Sequence, residues 1–340
     1  RKEPTVSAPG ICSLAHPLLS FALPLADGDG CVFAGLLSTQ TDPWLLEHSI
    51  YSVPIFPGTG FLELALVAAQ QLDLPGIQEL ELSSPLSPSE QAPTQLQLRV
   101  LPPDATGNRS FVLSSRAHSE SIKTPWVQHG SGVFSQAARP FDHSAITAWP
   151  PPQAESVDLS GLYEAFSERG LGYGPAYRGL RAVWKAKDAI YVEAQLPDEL
   201  HKDASRFGIH PALLDTTLHG LAAVLSADSE EAAVMLIGWQ HVRLFSSGAK
   251  ALRARIARIS TQDRERSSTS LVAWTESGQP VLTVDEVTLQ RVQSRQLLWA
   301  RSQHLLHVVK WLPVRAESPQ HPKGETWVLS SELSPFQLLG

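Results

Sequence analysis

The sequence predicts an α+β fold made of two units with the same architecture, and two observations lead to this prediction. A long apolar segment with helical spacing occurs twice, at residues 60–71 and 209–225, and Pro57 and Pro211 mark where the two helices begin. In each half, strand-like runs follow the helix. Because a helix that is apolar on nearly all sides should be buried, we expect each one to be wrapped by a curved antiparallel sheet.

The N-terminal unit is predicted to span residues 1–140. Its helix is indicated by apolar residues that recur at helical spacing, namely Phe61, Leu64, Ala65, Ala68 and Ala69. Its strands are predicted at 31–38, 95–101, 110–116 and 126–134. Turn-rich pieces such as PPDATGN separate these strands, as expected for an antiparallel arrangement.

A stretch rich in proline and alanine, residues 141–157, has little periodicity and is predicted to be a linker. The C-terminal unit is then assigned to 158–297. It is predicted to contain a short amphipathic helix at 159–170, a strand hairpin at 181–196, the second apolar helix and three further strands at 252–260, 270–277 and 280–292. Residues 298–340 follow as a separate segment.

Bulk composition excludes several classes of protein. The chain has 340 residues, of which 43% are hydrophobic and 18% charged, so it can bury a core. A net charge of −7 gives no basic surface for nucleic acid. No apolar run reaches the length of a membrane span. The two cysteines are expected to be reduced thiols, which favours a cytoplasmic protein. No initiator methionine is present, and we expect the chain to be a piece of a longer polypeptide.

His48 is the first candidate for chemistry. A histidine in an apolar strand is more often a core or surface group with its hydrogen bonds satisfied. However, the Pro57–Gly58 pair that follows it places free backbone N–H groups at a helix N-terminus, where negative charge is stabilised. A neutral imidazole and these N–H groups could together remove a proton next to a carbonyl, with the N–H groups holding the developing enolate oxygen.

Asp215 is the second candidate, because it lies inside the apolar helix HPALLDTTLHGL. The alternative is an aspartate on the solvent face of that helix. A buried carboxylate must change its pKa or find partners. His219 lies one helical turn further on, on the same face, and can hydrogen-bond to it. An apolar site could keep the acid protonated and so make it a proton donor. His210 at the start of the helix is expected to pack locally.

The segment LGYGPAYRGL is the third feature, with Tyr173 and Tyr177 flanking a turn fixed by Gly174 and Pro175. An ordinary turn with packed rings is the alternative to a functional role. The sequence contains none of the spacings typical of zinc sites, serine hydrolases, phosphate loops or dinucleotide-binding loops, and no metal site is predicted.

Four ordered blocks make the chain resemble a dehydratase domain of a modular type I polyketide synthase, over roughly residues 10–295. HPLL and LADGDG resemble the opening strand region of that family, and HSIYSVPIFPG resembles its HxxxGxxxxP motif. GYGPAY resembles the YGPxF motif, and LLDTTLH resembles the Dxxx(Q/H) motif.

The resemblance implies a double hotdog fold, with one active site between the two hotdog units. His48 of the first unit is implied to abstract the α-proton of a β-hydroxyacyl thioester. The Gly58 N–H is implied to polarise the thioester carbonyl. Asp215 of the second unit would donate a proton to the leaving β-hydroxyl, and His219 would orient Asp215. Substrate-binding positions are further implied at Pro57, Tyr173, Tyr177 and Trp239.

The partners implied by the resemblance follow from this chemistry. The substrate is expected on the phosphopantetheine arm of an acyl carrier protein, and no cofactor is expected on the domain itself. Arg178 and Arg243 are candidates for docking the acidic carrier. The tail LLHVVKWLPV resembles the start of a ketoreductase structural subdomain, so a ketoreductase is expected in the same polypeptide. The family favours a homodimer.

Three positions depart from the family pattern. Ser52 replaces glycine, which costs little unless the backbone there needs a positive φ. Tyr177 replaces phenylalanine and adds a hydroxyl that needs a partner. MLIGW at 235–239 stands where the family shows LPFSW, and it loses the proline, phenylalanine and serine but keeps Trp239. We expect this segment to border the substrate channel, although a neutral change in core packing would also explain it.

Three other functions remain open at this stage. A shift of the double bond is disfavoured, because family members that catalyse it tend to lose the catalytic aspartate, which is present here as Asp215. A bifunctional relative would dehydrate and then close an oxygen ring by oxa-Michael addition of a distal hydroxyl, with the same two residues. A degenerate domain would hold the synthase together without catalysis, which the intact His48, Asp215 and His219 disfavour.

Overall fold

The computed structural model describes residues 10–26, 28–119, 123–137, 148–225, 233–259 and 266–292. The strands of the N-terminal half are β1 (Cys12–Ser13), β2 (Phe21–Pro24), β3 (Cys31–Leu37), β4 (His48–Ile50), β5 (Val53–Pro54), β6 (Gly76–Leu82), β7 (Thr94–Val100), β8 (Arg109–Ala117) and β9 (Val127–Ser135). Those of the C-terminal half are β10 (Glu155–Ser156), β11 (Leu171–Tyr173), β12 (Leu180–Lys185), β13 (Ala189–Gln195), β14 (Ala233–Leu244), β15 (Ala251–Ile259), β16 (Arg266–Trp274) and β17 (Pro280–Val292). The helices are α1 (Gly58–Gln71), α2 (Leu162–Glu168) and α3 (Pro211–Leu225).

Each half forms a curved antiparallel layer around one helix, as predicted. The N-terminal strands run in the order β1-β2-β3-β7-β8-β9-β6, and the C-terminal strands in the order β14-β17-β16-β15-β13-β12-β10. Strand β7 shows why these residues form a sheet. Its buried positions alternate with half-buried or exposed ones, so Leu96, Leu98 and Val100 all point into the core. Helix α1 is buried at every position from Thr59 to Ala69, which fits a helix surrounded by sheet.

The two layers are continuous, because β6 of the first half pairs antiparallel with β14 of the second. Trp239 pairs with Leu80 and Val242 pairs with Ile77 across this seam. Gly76 is required here by close approach, since a Cβ at this position would meet the carbonyl oxygen of Val242. Neither of the two joining strands was predicted from the sequence.

The proposed boundaries fall partly on residues that the structure does not describe. Residues 141–147 of the predicted linker and the whole segment 298–340 lie outside the described residues. Of the remaining linker residues, Glu155–Ser156 form β10 and pair with β12. None of the helices in the described ranges is both long enough and apolar enough to cross a membrane.

The N-terminal ends of α1 and α3 are held together by side chains of α1. The Thr59 hydroxyl donates to the Pro211 carbonyl at 3.0 Å. One turn later, the buried Glu63 carboxylate accepts the N–H groups of Gly208 and Ile209 at 2.7 and 2.8 Å, just ahead of α3. Hydrogen bonds to an ionised carboxylate are stronger than those between neutral groups, so these contacts fix where α3 begins.

His16, in the HPLL block, adds a further hydrogen bond to the Glu63 carboxylate. Its Nδ1 accepts the N–H groups of Leu18 and Leu19, so the ring proton is on Nε2, which donates to Glu63 Oε1 at 3.2 Å. The block that resembles the family's opening strand region thus anchors the N-terminal chain to the pair of buried helices.

The turn between β4 and β5 contains two non-glycine residues with positive φ. Ile50 pairs with Val53, so Tyr51 and Ser52 form a two-residue turn, and their φ angles are +47° and +62°. Hairpin turns of this length favour glycine and asparagine because both central residues need a positive φ. The backbone at Ser52 therefore has the positive φ at which serine is less favourable than glycine.

Replacing Ser52 by glycine is expected to stabilise the protein. Glycine removes the strain of the left-handed backbone, which is about 1–2 kcal/mol. This exceeds the free-energy cost of the greater freedom that glycine gives the unfolded chain, so the free energy of unfolding should rise by about 0.5–1 kcal/mol. A rise of about 1–3 °C in Tm would be measured. Ser160→Gly is the matched control, because Ser160 is exposed and is not among the described residues with positive φ. A fall in Tm for Ser52→Gly would contradict the assignment of strain.

His210 caps α3 and is buried among aromatic rings. Its Nδ1 accepts the Ala212 N–H at 3.2 Å, and its ring packs against Trp44 and Phe207. Burial lowers the pKa of His210 from 6.5 to about 3, although the charge of Asp203 acts in the opposite direction. The local packing predicted for this residue is confirmed.

The stability of the protein is expected to decrease on acidification through His210. Below pH 6.5 the unfolded chain binds a proton that the folded chain excludes, so stability falls by about 1.4 kcal/mol per pH unit until the folded pKa near 3. His210→Asn retains a helix-capping side chain and removes this titration. Urea unfolding from pH 7 to pH 4 should show a smaller loss for His210→Asn than for wild type, whereas exposed His118→Asn should match wild type. Equal losses for all three proteins would overturn this explanation.

Candidate active site

A small three-stranded sheet brings the two halves together at His48. Strand β11 of the C-terminal half pairs antiparallel with β4, and Tyr173 lies directly opposite His48. The neighbouring residue Glu47 reinforces this junction, because its backbone carbonyl accepts the Gly174 N–H and its carboxylate accepts the Ala176 N–H at 2.6 Å. The GYGPAY turn is therefore fixed to the strand that carries His48.

The hydrogen bonds of His48 determine which ring nitrogen can act as a base. Nδ1 lies 2.8 Å from the carbonyl oxygen of Ile55, which can only accept, so Nδ1 carries the proton. The neutral ring then has its lone pair on Nε2. The Ile55 N–H donates in return to the His48 carbonyl at 2.9 Å, which fixes the orientation of the imidazole.

Asp215 approaches the same nitrogen from the other half of the protein. Its Oδ2 lies 3.8 Å from His48 Nε2, and the two side chains are only 13% and 10% exposed. His219 Nε2 lies 3.1 Å from the same oxygen, one turn further along α3. Asp215 Oδ1 takes part in neither contact. The predicted grouping of His48, Asp215 and His219 is thus present in the structure.

The electrostatics of Asp215 differ from the prediction of a protonated acid. Burial raises the pKa of Asp215, but His48 and the hydrogen bond from His219 outweigh burial, and the net pKa lies below the ordinary value of 3.8. The expectation that the apolar site keeps this acid protonated was wrong, because the pKa is shifted in the opposite direction. Because the ionised carboxylate can only accept, His219 donates from Nε2, and its buried Nδ1 holds a lone pair.

Aromatic rings enclose this group. The His48 ring lies 5.5 Å from the Tyr173 ring and 5.3 Å from the Tyr177 ring, and Tyr173 also lies 4.1 Å from the His219 ring. The Tyr163 hydroxyl donates to the Tyr177 carbonyl, and burial raises the pKa of Tyr163 to about 12, so this donor stays protonated. The rings lie around the acid–base candidates, and the low exposure of His48 and Asp215 strengthens the interaction between charges there.

Helix α1 begins at Gly58, ten residues after His48 in the sequence. Pro57 is its N-cap residue and makes no side-chain hydrogen bond to the helix. The first N–H groups of an α-helix have no partner within the helix and can bind negative charge. Leu236, from the MLIGW segment, packs against Gly58 so closely that a Cβ at Gly58 would lie 2.8 Å from Leu236 Cδ2. A residue of the divergent segment therefore limits the space at the helix start.

Trp239 was predicted to bind substrate and Arg178 to dock the carrier protein, and the structure places both in other surroundings. Trp239 is buried in β14, and none of the ring contacts described for His48, Tyr173, Tyr177 or His219 includes it. The Arg178 guanidinium Nε donates to the Tyr173 carbonyl at 2.7 Å, so this arginine supports the active-site turn. A charge reversal at Arg178 would therefore disturb the site as well as any docking surface.

Several supporting residues were not identified from the sequence. Glu63 stood out only as the one charged residue in an otherwise apolar helix. Glu47 and Thr216 gave no signal beyond adjacency to His48 and Asp215. The Thr216 hydroxyl donates to the Tyr177 carbonyl at 3.0 Å and so connects α3 to the aromatic turn. The carbonyl of Ile55 is a backbone group, which no residue pattern reveals.

The chain is similar in sequence and in structure to domains of known polyketide synthases. A family model described as polyketide synthase dehydratase domain matches residues 16–116, and one described as polyketide synthase dehydratase N-terminal domain matches residues 141–298. The dehydratase domain from the terminal module of the rifamycin polyketide synthase is 36% identical, with a TM-score of 0.74. That alignment covers 83% of this chain and 98% of the other.

A second solved structure, the bifunctional dehydratase-cyclase domain in ambruticin biosynthesis, is 35% identical with a TM-score of 0.76, covering 84% of this chain and all of the other. Polyketide synthase GfsA of Streptomyces halstedii is 38% identical over 323 residues, or 94% of this chain. The chain spans only 4% of the length of that curated relative. The predicted double hotdog fold is confirmed by these structural similarities.

Proposed function

The chain belongs to the dehydratase domains of polyketide synthases, a family of hydro-lyases that act in polyketide biosynthesis, and from this premise we propose how its residues remove water. The substrate is a β-hydroxyacyl thioester, and the products are an α,β-unsaturated thioester and water. The observation that carries the proposal is the 3.8 Å approach of His48 Nε2 to Asp215 Oδ2 inside the aromatic enclosure.

In the first step, His48 Nε2 takes the α-proton. The bond from Nδ1 to the Ile55 carbonyl keeps the lone pair on Nε2, which supports this role. The negative charge that develops on the thioester oxygen is stabilised by the free N–H groups at Gly58, which lower the barrier to proton removal. The Asp215 carboxylate stabilises the imidazolium that forms.

In the second step, the β-hydroxyl leaves as water. Asp215 begins as a carboxylate in this proposal, because its pKa lies below the ordinary value, and the proton that it delivers comes from the newly formed imidazolium. Oδ2 faces His48, while Oδ1 can approach the β-oxygen. The proton lost from the α-carbon thus ends on the leaving hydroxyl, and both residues return to their starting states.

The proposal also includes the partners, the location and the cofactor requirement of the domain. The acyl chain is carried on the phosphopantetheine of an acyl carrier protein, and a ketoreductase in the same polypeptide makes the β-hydroxyl. We further propose a homodimer, and a cytoplasmic location that fits the free thiols of Cys12 and Cys31. The domain itself requires no cofactor, because acid–base groups suffice for the elimination.

The purified protein and a β-hydroxyacyl pantetheine thioester test the proposed function. Formation of the enoyl thioester, followed by its ultraviolet absorption and the loss of one water in the mass spectrum, is the expected result. Absence of product from short and long chains, in both hydroxyl configurations, would refute it. Ring closure remains an alternative, and a chain with an additional distal hydroxyl would reveal it through a cyclic product that forms only with enzyme.

A further inference from the structure

The hydroxyl of Tyr177 is buried and has no hydrogen-bond partner among the described residues. The residue is 0% exposed, so bulk solvent does not reach it. A buried hydroxyl without a partner is unfavourable, and most such groups in proteins are paired. The family motif that this segment resembles ends in phenylalanine, which would give the same ring packing without this cost. Packing therefore does not explain the hydroxyl.

The backbone holds Tyr177 between the two catalytic candidates. Its carbonyl accepts hydrogen bonds from Thr216, which follows Asp215, and from Tyr163. The preceding residue, Ala176, is bonded to the carboxylate of Glu47, which precedes His48. The position of the ring is thus set by the immediate neighbours of both His48 and Asp215.

The ring itself lies within the active-site enclosure. Its centroid is 5.3 Å from the His48 ring and 6.4 Å from the Tyr173 ring. Burial raises the pKa of Tyr177 well above 10, and the negative charge of Asp215 raises it further. The hydroxyl therefore remains protonated and lies within the electrostatic field of the carboxylate, while it is bonded to neither Asp215 nor His48.

We propose that the Tyr177 hydroxyl hydrogen-bonds to the oxygen on the β-carbon of the bound acyl chain. This inference rests on the proposed function, which places the α-carbon at His48 Nε2 and the β-oxygen at Asp215. The Tyr177 ring lies beside His48 and near the carboxylate of Asp215, so its hydroxyl can reach a β-oxygen that is bound there. That oxygen would supply the hydrogen-bond partner that the hydroxyl lacks among the described residues. The Tyr177 hydroxyl, which has no partner among the described residues, then gains one when a β-oxygenated chain binds.

The variant Tyr177→Phe tests the proposal because it removes one oxygen and keeps the ring. We expect kcat/KM for dehydration of the pantetheine thioester to fall by about 10- to 100-fold. Tm should stay equal to that of wild type or rise, since an unpaired buried group is lost. Tyr191→Phe is the matched control, because Tyr191 lies on β13 against Trp149 and away from the site.

A pair of inhibitors identifies the atom that is recognised. Pantetheine amides of an acyl chain with and without a β-hydroxyl differ only in that oxygen, and amide α-protons are far less acidic than those of the thioester. Wild type should bind the β-hydroxy amide more tightly than the amide without the hydroxyl. In Tyr177→Phe this preference should shrink by about 10-fold, and the part that remains is due to Asp215.

Three results would overturn the proposal. They are a kcat/KM of Tyr177→Phe within twofold of wild type, an unchanged preference for the β-hydroxy amide in this variant, and a fall in Tm that would reveal a structural partner. Turnover by wild type establishes the proposed function independently of these results, so the two can fail separately.

Discussion

Replacing His48 by alanine is expected to reduce kcat/KM for dehydration by at least about 10³-fold, because the base that we propose for the α-proton is removed. The alanine side chain can neither accept a proton nor donate to the Ile55 carbonyl. The chemical step therefore loses its base, while the thioester can still reach the helix start at Gly58. Steady-state turnover of the pantetheine thioester measures the effect.

Two controls separate loss of the base from loss of the fold. His48→Gln keeps an N–H donor for the Ile55 carbonyl without providing a base, and it should be as inactive as His48→Ala. His118→Ala removes an exposed histidine and should leave turnover unchanged. Appreciable activity in His48→Gln, with Tm near that of wild type, would show that another group removes the α-proton.

Replacing Asp215 by asparagine should reduce kcat/KM by about 10²- to 10⁴-fold. Asparagine has the same shape and can still bond to His219, but it can neither stabilise the imidazolium of His48 nor relay its proton. Hydroxide is a poor leaving group, so the loss should appear mainly in kcat. Single-turnover kinetics with saturating enzyme would measure the chemical step directly.

The matched control for this change is Asp198→Asn. Asp198 forms an exposed pair with His201, and its side chain is 87% exposed, so the same chemical change there should not affect turnover. If Asp215→Asn lowered kcat no more than Asp198→Asn does, the carboxylate would have no part in proton transfer.

Local patterns were sufficient to predict the two apolar helices and the contact between Asp215 and His219. An apolar helix opened by a proline is recognisable from its own residues, and α1 and α3 both satisfy that pattern. Asp215 and His219 are one turn apart, so their contact follows from helix geometry alone. The family motifs supplied the link between His48 and Asp215, which no local pattern contains.

Features that depend on distant partners were missed or misjudged. Strand β6 alternates Glu79 and Glu81 with Leu80 and Leu82, which is a strand pattern, but its pairing with β14 depends on a partner in the other half of the chain. The positive φ of Ser52 is a property of the hairpin it closes. The pKa direction of Asp215 depends on the competition between burial and two histidines, and burial alone suggested the opposite sign.

The proposed mechanism assigns removal of the α-proton to His48 and protonation of the leaving hydroxyl to Asp215. Exchange of the α-proton with deuterium from D₂O, followed by mass spectrometry of the unreacted β-hydroxyacyl thioester, tests it most directly. We predict that Asp215→Asn incorporates deuterium at the α-carbon faster than it forms the enoyl product, and that His48→Ala does neither. Deuterium incorporation by His48→Ala at a rate similar to that of Asp215→Asn would contradict the account.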